Sequence, residues 1–215
     1  MIIKSEHDSN KSELPDFNKD EYIIQFKIVY WGPGESGKTT NFLRLKEKFS
    51  LLKISNGYSI DTSDGRTIWH DSIFFTFNLR IKGKKYNIIT QTTTCTGQER
   101  FLSTREYVID GADGVIFVGD SCPDKIEQNK RSYRELISFV NRNNIPIVIQ
   151  LNKRDLPDAI SLKNFKKHLG LPNLDKKSDG TPIVYETIAL DGENVVRIFE
   201  DLVMKIFINF FIKNN

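Results

Sequence analysis

Cysteine is scarce in this chain: Cys95 and Cys122 are the only two in 215 residues. They form neither a disulfide framework nor metal-ligand spacing, so a reducing compartment, the cytoplasm, is the expected setting. Histidine is just as thin. His7, His70 and His168 stand apart with no acid or nucleophile at useful spacing, and no histidine-centred catalysis is expected. Charge of one sign is also lacking. The 31 Lys and Arg against 28 Asp and Glu leave +3, too mild a surplus to imply nucleic acid, and the lysine clusters at 82–85, 163–167 and 176–177 read as solvated faces. No apolar run is long enough to span a bilayer; the most apolar stretch, near the C-terminus, is interrupted by Lys205 and Asn209. Met1-Ile2-Ile3 runs straight into Lys4, Glu6 and Asp8, which is not a signal peptide. Ile2 stands where myristoylation needs glycine, and Lys213-Asn214-Asn215 offers no prenylation cysteine, so no lipid anchor is expected.

What is present starts with Gly32-Pro33-Gly34-Glu35-Ser36-Gly37-Lys38-Thr39, which reads G-x-x-x-x-G-K-T, a phosphate-binding loop. Glycines let the backbone bend around a polyphosphate and turn its N–H groups inward. Lys38 can reach the β- and γ-phosphates as a compact positive charge, and Thr39 can place a hydroxyl on Mg²⁺. The following helix aims its positive dipole end at the anion. Gly32, Gly34, Glu35, Ser36, Gly37, Lys38, Thr39 and Thr40 are the candidate contacts at this end. The flanks fit the motif: Ile23–Trp31 is β-branched and aromatic, and Phe42, Leu45 and Phe49 recur at helical spacing.

Taken in order, residues 1–20 are polar and charged and read as a flexible arm. Ser50–Ser72 shows no clean period, and a long irregular segment after such a helix is usually functional. Ile73–Ile81 and Tyr86–Thr90 read as a hairpin turning near Gly83. Val115–Val118 and Ile145–Leu151 are continuous apolar runs, the mark of strands buried on both faces. Ile183–Tyr185 is a last short strand. Helices are expected up to Ile109, over Ile126–Val140 and Leu162–Leu169, and from Gly192 to Ile212. Alternating strands and helices imply an α/β fold in one domain. In the closing helix, Phe207, Ile208 and Phe211 are expected to leave an apolar patch for a partner or a peripheral membrane contact.

Asn152-Lys153-Arg154-Asp155 follows the second buried strand and matches N-K-x-D, the guanine-specificity signature of small GTPases. An Asp carboxylate can accept two hydrogen bonds from the N1–H and N2–H₂ edge of guanine; adenine lacks that donor pair and would leave the carboxylate unpaired. Asn152 is expected to tie the loops together, and the Lys153 stem to pack over the base. Glu186-Thr187-Ile188-Ala189-Leu190 resembles the E-T-S-A-K element, whose alanine N–H meets guanine O6; Ile188 and Leu190 depart from that pattern, and only Ala189 carries over. Thr94-Cys95-Thr96-Gly97-Gln98-Glu99 lines up with D-T-A-G-Q-E. Gly97 would then donate to the γ-phosphate and Gln98 orient the attacking water. Thr94 replaces the usual Asp, so it would serve Mg²⁺ through a water without adding charge. Cys95 reads as a small buried residue. Asp120, at the end of a buried strand, reads as a capping or turn residue or a distant support for Mg²⁺.

Thr94, together with Tyr30–Gly34, Asp113–Ser121 and Val148–Pro157, resembles the MglA-type small GTPases, the prokaryotic branch of the Ras-like superfamily tied to cell polarity and gliding motility. The likeness runs from about Ile24 to the C-terminus. Gly34–Lys38 also resembles the loop of heterotrimeric Gα subunits, but Ser50–Ser72 is too short for their inserted helical domain. The resemblance implies a P-loop NTPase of α/β class, a Ras-like G domain over 21–215, with a mostly parallel six-stranded central sheet flanked by helices. It implies GTP/GDP and Mg²⁺ as ligands and slow hydrolysis of GTP; a monomer is expected, with a dimer left open. The implied partners are effectors, an exchange factor and a roadblock-type activating protein. Thr62 and Thr67 both stand as the first-switch Mg²⁺ ligand. The family places an Arg-Thr pair there, which favours Thr67 and suggests Arg66 as an arginine acting in cis. A nucleotide-binding scaffold with negligible hydrolysis is the alternative, supported by Thr94 and opposed by Gln98.

Overall fold

The computed structural model describes residues 21–50, 53–56, 60–61, 67–69, 72–81, 83–96, 102–140 and 145–214. The proposed arm, residues 1–20, lies outside them. The first strand, β1 (Glu21–Trp31), is central. Its side chains alternate between two cores: Ile24, Phe26, Ile28 and Tyr30 face one, while Val29 and Trp31 face the other. The phosphate loop then leads into α1 (Lys38–Lys48).

Three short strands follow: β2 (Lys53–Asn56), β3 (Ile60–Asp61) and β4 (Thr67–Trp69). The long strands β5 (Ser72–Ile81) and β6 (Lys84–Thr94) form the expected hairpin, with Ile81 opposite Lys84 and Gly83 at φ 79 in the turn. Next come α2 (Leu102–Ile109), β7 (Gly114–Asp120), α3 (Ile126–Val140) and β8 (Ile147–Asn152). The chain closes with α4 (Leu162–Leu169), β9 (Tyr185–Glu186) and α5 (Val195–Asn214).

The main sheet runs β2-β5-β6-β1-β7-β8-β9. From β6 to β9 every neighbouring pair is parallel; β2 and β5 are antiparallel additions. All six expected strands are present, and β2 makes a seventh at the edge. The segment read as aperiodic thus contains strands. They run for two to four residues, too short for a period of two to show, and β2 pairs with β5 across a register shift.

α1 and α5 cover one face through Phe42, Leu45, Ile198, Phe199 and Leu202. α2, α3 and α4 cover the other through Val108, Leu136, Val140 and Phe165. β7 is buried along its whole length, as a strand sandwiched by helices must be. This layering brings the C-terminal ends of β1, β7 and β8 to one edge, where the motif loops emerge.

Phe207 does not join an exposed patch. It is buried and meets Tyr86 edge-on, with Phe211 against the same ring. The exposed stripe on α5 is Met204, Ile208 and Ile212, one turn apart. No helix among the described residues is long and apolar enough to cross a membrane.

Candidate functional site

The loop between β1 and α1 turns through two glycines whose conformations exclude a side chain. Gly32 has φ 153, and a Cβ there would lie 2.3 Å from the Val118 carbonyl oxygen. Gly37 has φ 97, and a Cβ there would lie 2.2 Å from Asn152 Nδ2. Glu35 also takes a positive φ, 65°, without the freedom of glycine. Gly37 opens α1 with no side-chain cap, so the first-turn N–H groups have no such partner.

Lys38 lies at the base of this cradle, 7% exposed. Its Nζ donates to two loop carbonyls, Gly32 O at 3.1 Å and Pro33 O at 2.6 Å. Burial pushes its pKa down to about 8, with Arg105 adding to the drop and Cys95 and Asp120 opposing it. Ser36 Oγ is buried with no hydrogen-bond partner. Among the described residues, a buried ammonium held by carbonyls, a hydroxyl without a partner and a helix start without a side-chain cap fit a polyphosphate. Thr39 is exposed at the second position of α1, and Thr40 and Gly34 are partly exposed beside it. Thr94 is buried at the end of β6, in register with Tyr30.

Asn152 knots the site together. Its Nδ2 donates to Ser36 O at 2.9 Å in the phosphate loop. Its Oδ1 accepts from Thr187 Oγ1 at 3.1 Å and from the Ala189 N–H at 2.9 Å. The loops are thus tied as expected, but the Ala189 donor is engaged by Asn152. Lys153, at φ 64, places Nζ 2.7 Å from Asp120 Oδ2, which anchors its stem across the cleft. Asp120 is fully buried and its Oδ1 accepts from the Cys122 N–H, the turn role expected of it. Asp155 is exposed. Cys95 is buried in the core, with its thiol pushed up to about 12 by burial.

Arg66, Thr62, Gly97 and Gln98 lie outside the described residues. Thr67 opens β4 opposite Asp61, and its side chain lies outside them too.

Sequence reasoning missed four supporting residues. Arg154, the variable position of N-K-x-D, donates to Glu186 Oε1, Ile160 O and Ser121 Oγ, and so ties β9 to the loops after β7 and β8. Asn129 of α3 exchanges two hydrogen bonds with the Asp120 backbone and extends β7 like a strand. Its signal was available: it lies on the apolar stripe of α3 with Tyr133, Leu136 and Val140. Buried Arg105 pairs with Glu135, donates to Thr96 O at 2.8 Å and lies over Trp31. Lys125 pairs with Glu35. Nothing local marks these last two.

A parallel sheet with a G-x-x-x-x-G-K-T loop after β1 and N-K-x-D after β8 defines the class of Ras-like GTPase domains. The model of the ADP-ribosylation factor family matches residues 75–206, and the chain belongs to that family of small GTPases. It is 33% identical over 177 residues to the mutual gliding-motility protein MglA of Myxococcus xanthus (strain DK1622), across 80% of this chain and 85% of that protein. It is also similar to the Ras and EF-hand domain-containing protein homologs of Caenorhabditis elegans and Caenorhabditis briggsae, at 25% and 26% identity over 177 residues. That alignment covers 79% of this chain but 24% of each of those proteins, about a quarter of their length. The similarity to MglA agrees with the resemblance carried by Thr94 and its neighbouring motifs.

Proposed function

We propose that this chain is a molecular switch that binds GTP and GDP with Mg²⁺ and hydrolyses GTP slowly, over a G domain spanning residues 21–215. The observation that carries the reading is Lys38: a buried cation in a glycine cradle, held only by backbone carbonyls and tied through Asn152 to the base-reading loops. Lys38 and the loop N–H groups bind the β- and γ-phosphates. Asp155 accepts from the guanine N1–H and N2–H₂, and the Lys153 stem, anchored on Asp120, covers the base plane. Ala189 serves guanine O6 only by sharing its N–H with Asn152.

Thr39, Thr67 and, through a water, Thr94 would hold Mg²⁺, which when bound neutralises charge on the phosphate oxygens. Gly97 reads the γ-phosphate, Gln98 orients the attacking water, and Arg66 meets the charge of the transition state. Unassisted turnover is on the order of 10⁻⁴ to 10⁻² s⁻¹. Loss of the γ-phosphate releases the switch loops, and effectors read that change, with an exchange factor and an activating protein setting the cycle. Similarity to MglA favours a place in polarity or motility.

Single-turnover hydrolysis of GTP and ATP by wild type, Gln98→Leu, Arg66→Ala and Asp155→Ala tests the reading. GTP-selective turnover is expected, slowed in the first two variants and less selective in the third. Tight GTP binding with equal, negligible turnover in wild type, Gln98→Leu and Arg66→Ala would establish the scaffold alternative instead.

A further inference from the structure

The phosphate loop carries one acidic side chain, Glu35, on a segment that must accept a polyanion. It occupies a left-handed backbone position, φ 65, and its side chain is 79% exposed. A carboxylate so placed adds repulsion to any phosphate the loop holds. The structure supplies a counter-charge from ninety residues away: Lys125 Nζ donates to Glu35 Oε2 at 3.0 Å.

Lys125 ends the short 3-10 turn Pro123–Lys125 that follows β7, and its side chain is 24% exposed. Its pKa is raised, chiefly by the hydrogen bond to Glu35. Asp120, the last residue of β7 ahead of that turn, pairs with Lys153 of the base-reading segment. The β7–α3 connection is therefore pinned on one side, at the end of β7, to the base-reading segment and on the other, at Lys125, to the phosphate loop.

We infer that Lys125 is a nucleotide-retaining counter-ion: it neutralises the carboxylate of the phosphate loop and clasps that loop to the β7–α3 turn, slowing nucleotide release. The inference rests on the proposed guanine-nucleotide site. Lys125 acts through Glu35 and is a positioning residue. An exposed ion pair changes an equilibrium by roughly two- to fivefold and weakens with salt.

The test is the dissociation rate of fluorescently labelled GDP at low and physiological salt. It compares wild type, Lys125→Gln, Lys125→Arg, Glu35→Gln and the Lys125→Gln/Glu35→Gln double variant. Lys125→Gln is expected to release GDP roughly two- to fivefold faster, more so at low salt, and Lys125→Arg to restore the wild-type rate. Glu35→Gln removes the repulsion and the clasp together, so it should release GDP more slowly than Lys125→Gln does, and adding Lys125→Gln to it should change little. An equal acceleration by Lys125→Gln with and without Glu35 would overturn the inference, because Lys125 would then act on the nucleotide itself. So would an unchanged rate in Lys125→Gln. If wild type captures no labelled GDP at all, the nucleotide site itself is refuted, a result distinct from either.

Discussion

The burial of Lys38 sets the sign of a pH dependence in nucleotide binding. In the free protein its ammonium is desolvated, which lowers its pKa from the ordinary 10.5 to about 8. A bound polyphosphate stabilises the charged form and raises that value again. Above pH 8 the free protein must therefore take up a proton in order to bind. Relative to its low-pH limit, the affinity falls by a factor of about 1.1 at pH 7 and about 11 at pH 9, so the drop across this window is about tenfold, or ~1.4 kcal/mol. Folding stability of the nucleotide-free protein moves the other way. Between about pH 8 and 10.5 the unfolded chain binds more protons than the folded one, so stability rises with pH there, by up to about 3 kcal/mol from this one group. The assay is equilibrium titration with labelled GDP from pH 7 to 9 at constant ionic strength, with Lys38→Met alongside. Calorimetry at pH 8.5 in buffers of different ionisation enthalpy counts the proton directly. Wild type should lose affinity while Lys38→Met stays nearly flat. An affinity in wild type that does not change over this range, or an equal slope in Lys38→Met, would refute the reasoning.

Two further outcomes follow from buried contacts. Asn152→Ala removes three hydrogen bonds and leaves Ser36 O and the Ala189 N–H without their partner; it should destabilise the fold by about 2–4 kcal/mol in urea unfolding and weaken GDP binding, and a loss below about 1 kcal/mol would mean that the knot is not structural. Arg105→Met removes the partner of the partly buried Glu135 carboxylate and should cost about 1–3 kcal/mol, whereas Arg105→Met with Glu135→Leu should recover much of that, because leaving one charge of a largely buried pair alone is worse than replacing both.

The positions of the G-x-x-x-x-G-K-T and N-K-x-D segments, between β1 and α1 and between β8 and α4, were legible from sequence because each is a short contiguous run between two regular elements. The buried strands β7 and β8 were legible for a related reason: a helix layer on each face leaves no position polar. Legibility failed where a residue's role depends on what another segment brings to it. Phe207 and Ile208 are adjacent and both apolar, yet one lies against Tyr86 and the other faces solvent, and only the rotation of α5 on the sheet decides which. The strands within 53–69 are recognised by their backbone pairing, which carries no side-chain period at two to four residues. Arg154 stands at the motif's variable position, where the pattern makes no demand, yet it binds three separate segments.

The electrostatics of the site are illegible in sequence for the same reason, and they explain why Lys38 keeps its charge available. A buried lysine beside a carboxylate would be neutralised and of little use to an anion. Here the acidic side chains around the cleft are already engaged: Asp120 by Lys153, Glu35 by Lys125 and Glu135 by Arg105. These pairs join residues 30 to 90 positions apart, so no local motif reveals them. No carboxylate pairs with Lys38 among the described residues, and its ammonium is met there by the Gly32 and Pro33 carbonyls. The positive charge at the base of the cradle is therefore not cancelled by a paired carboxylate among the described residues.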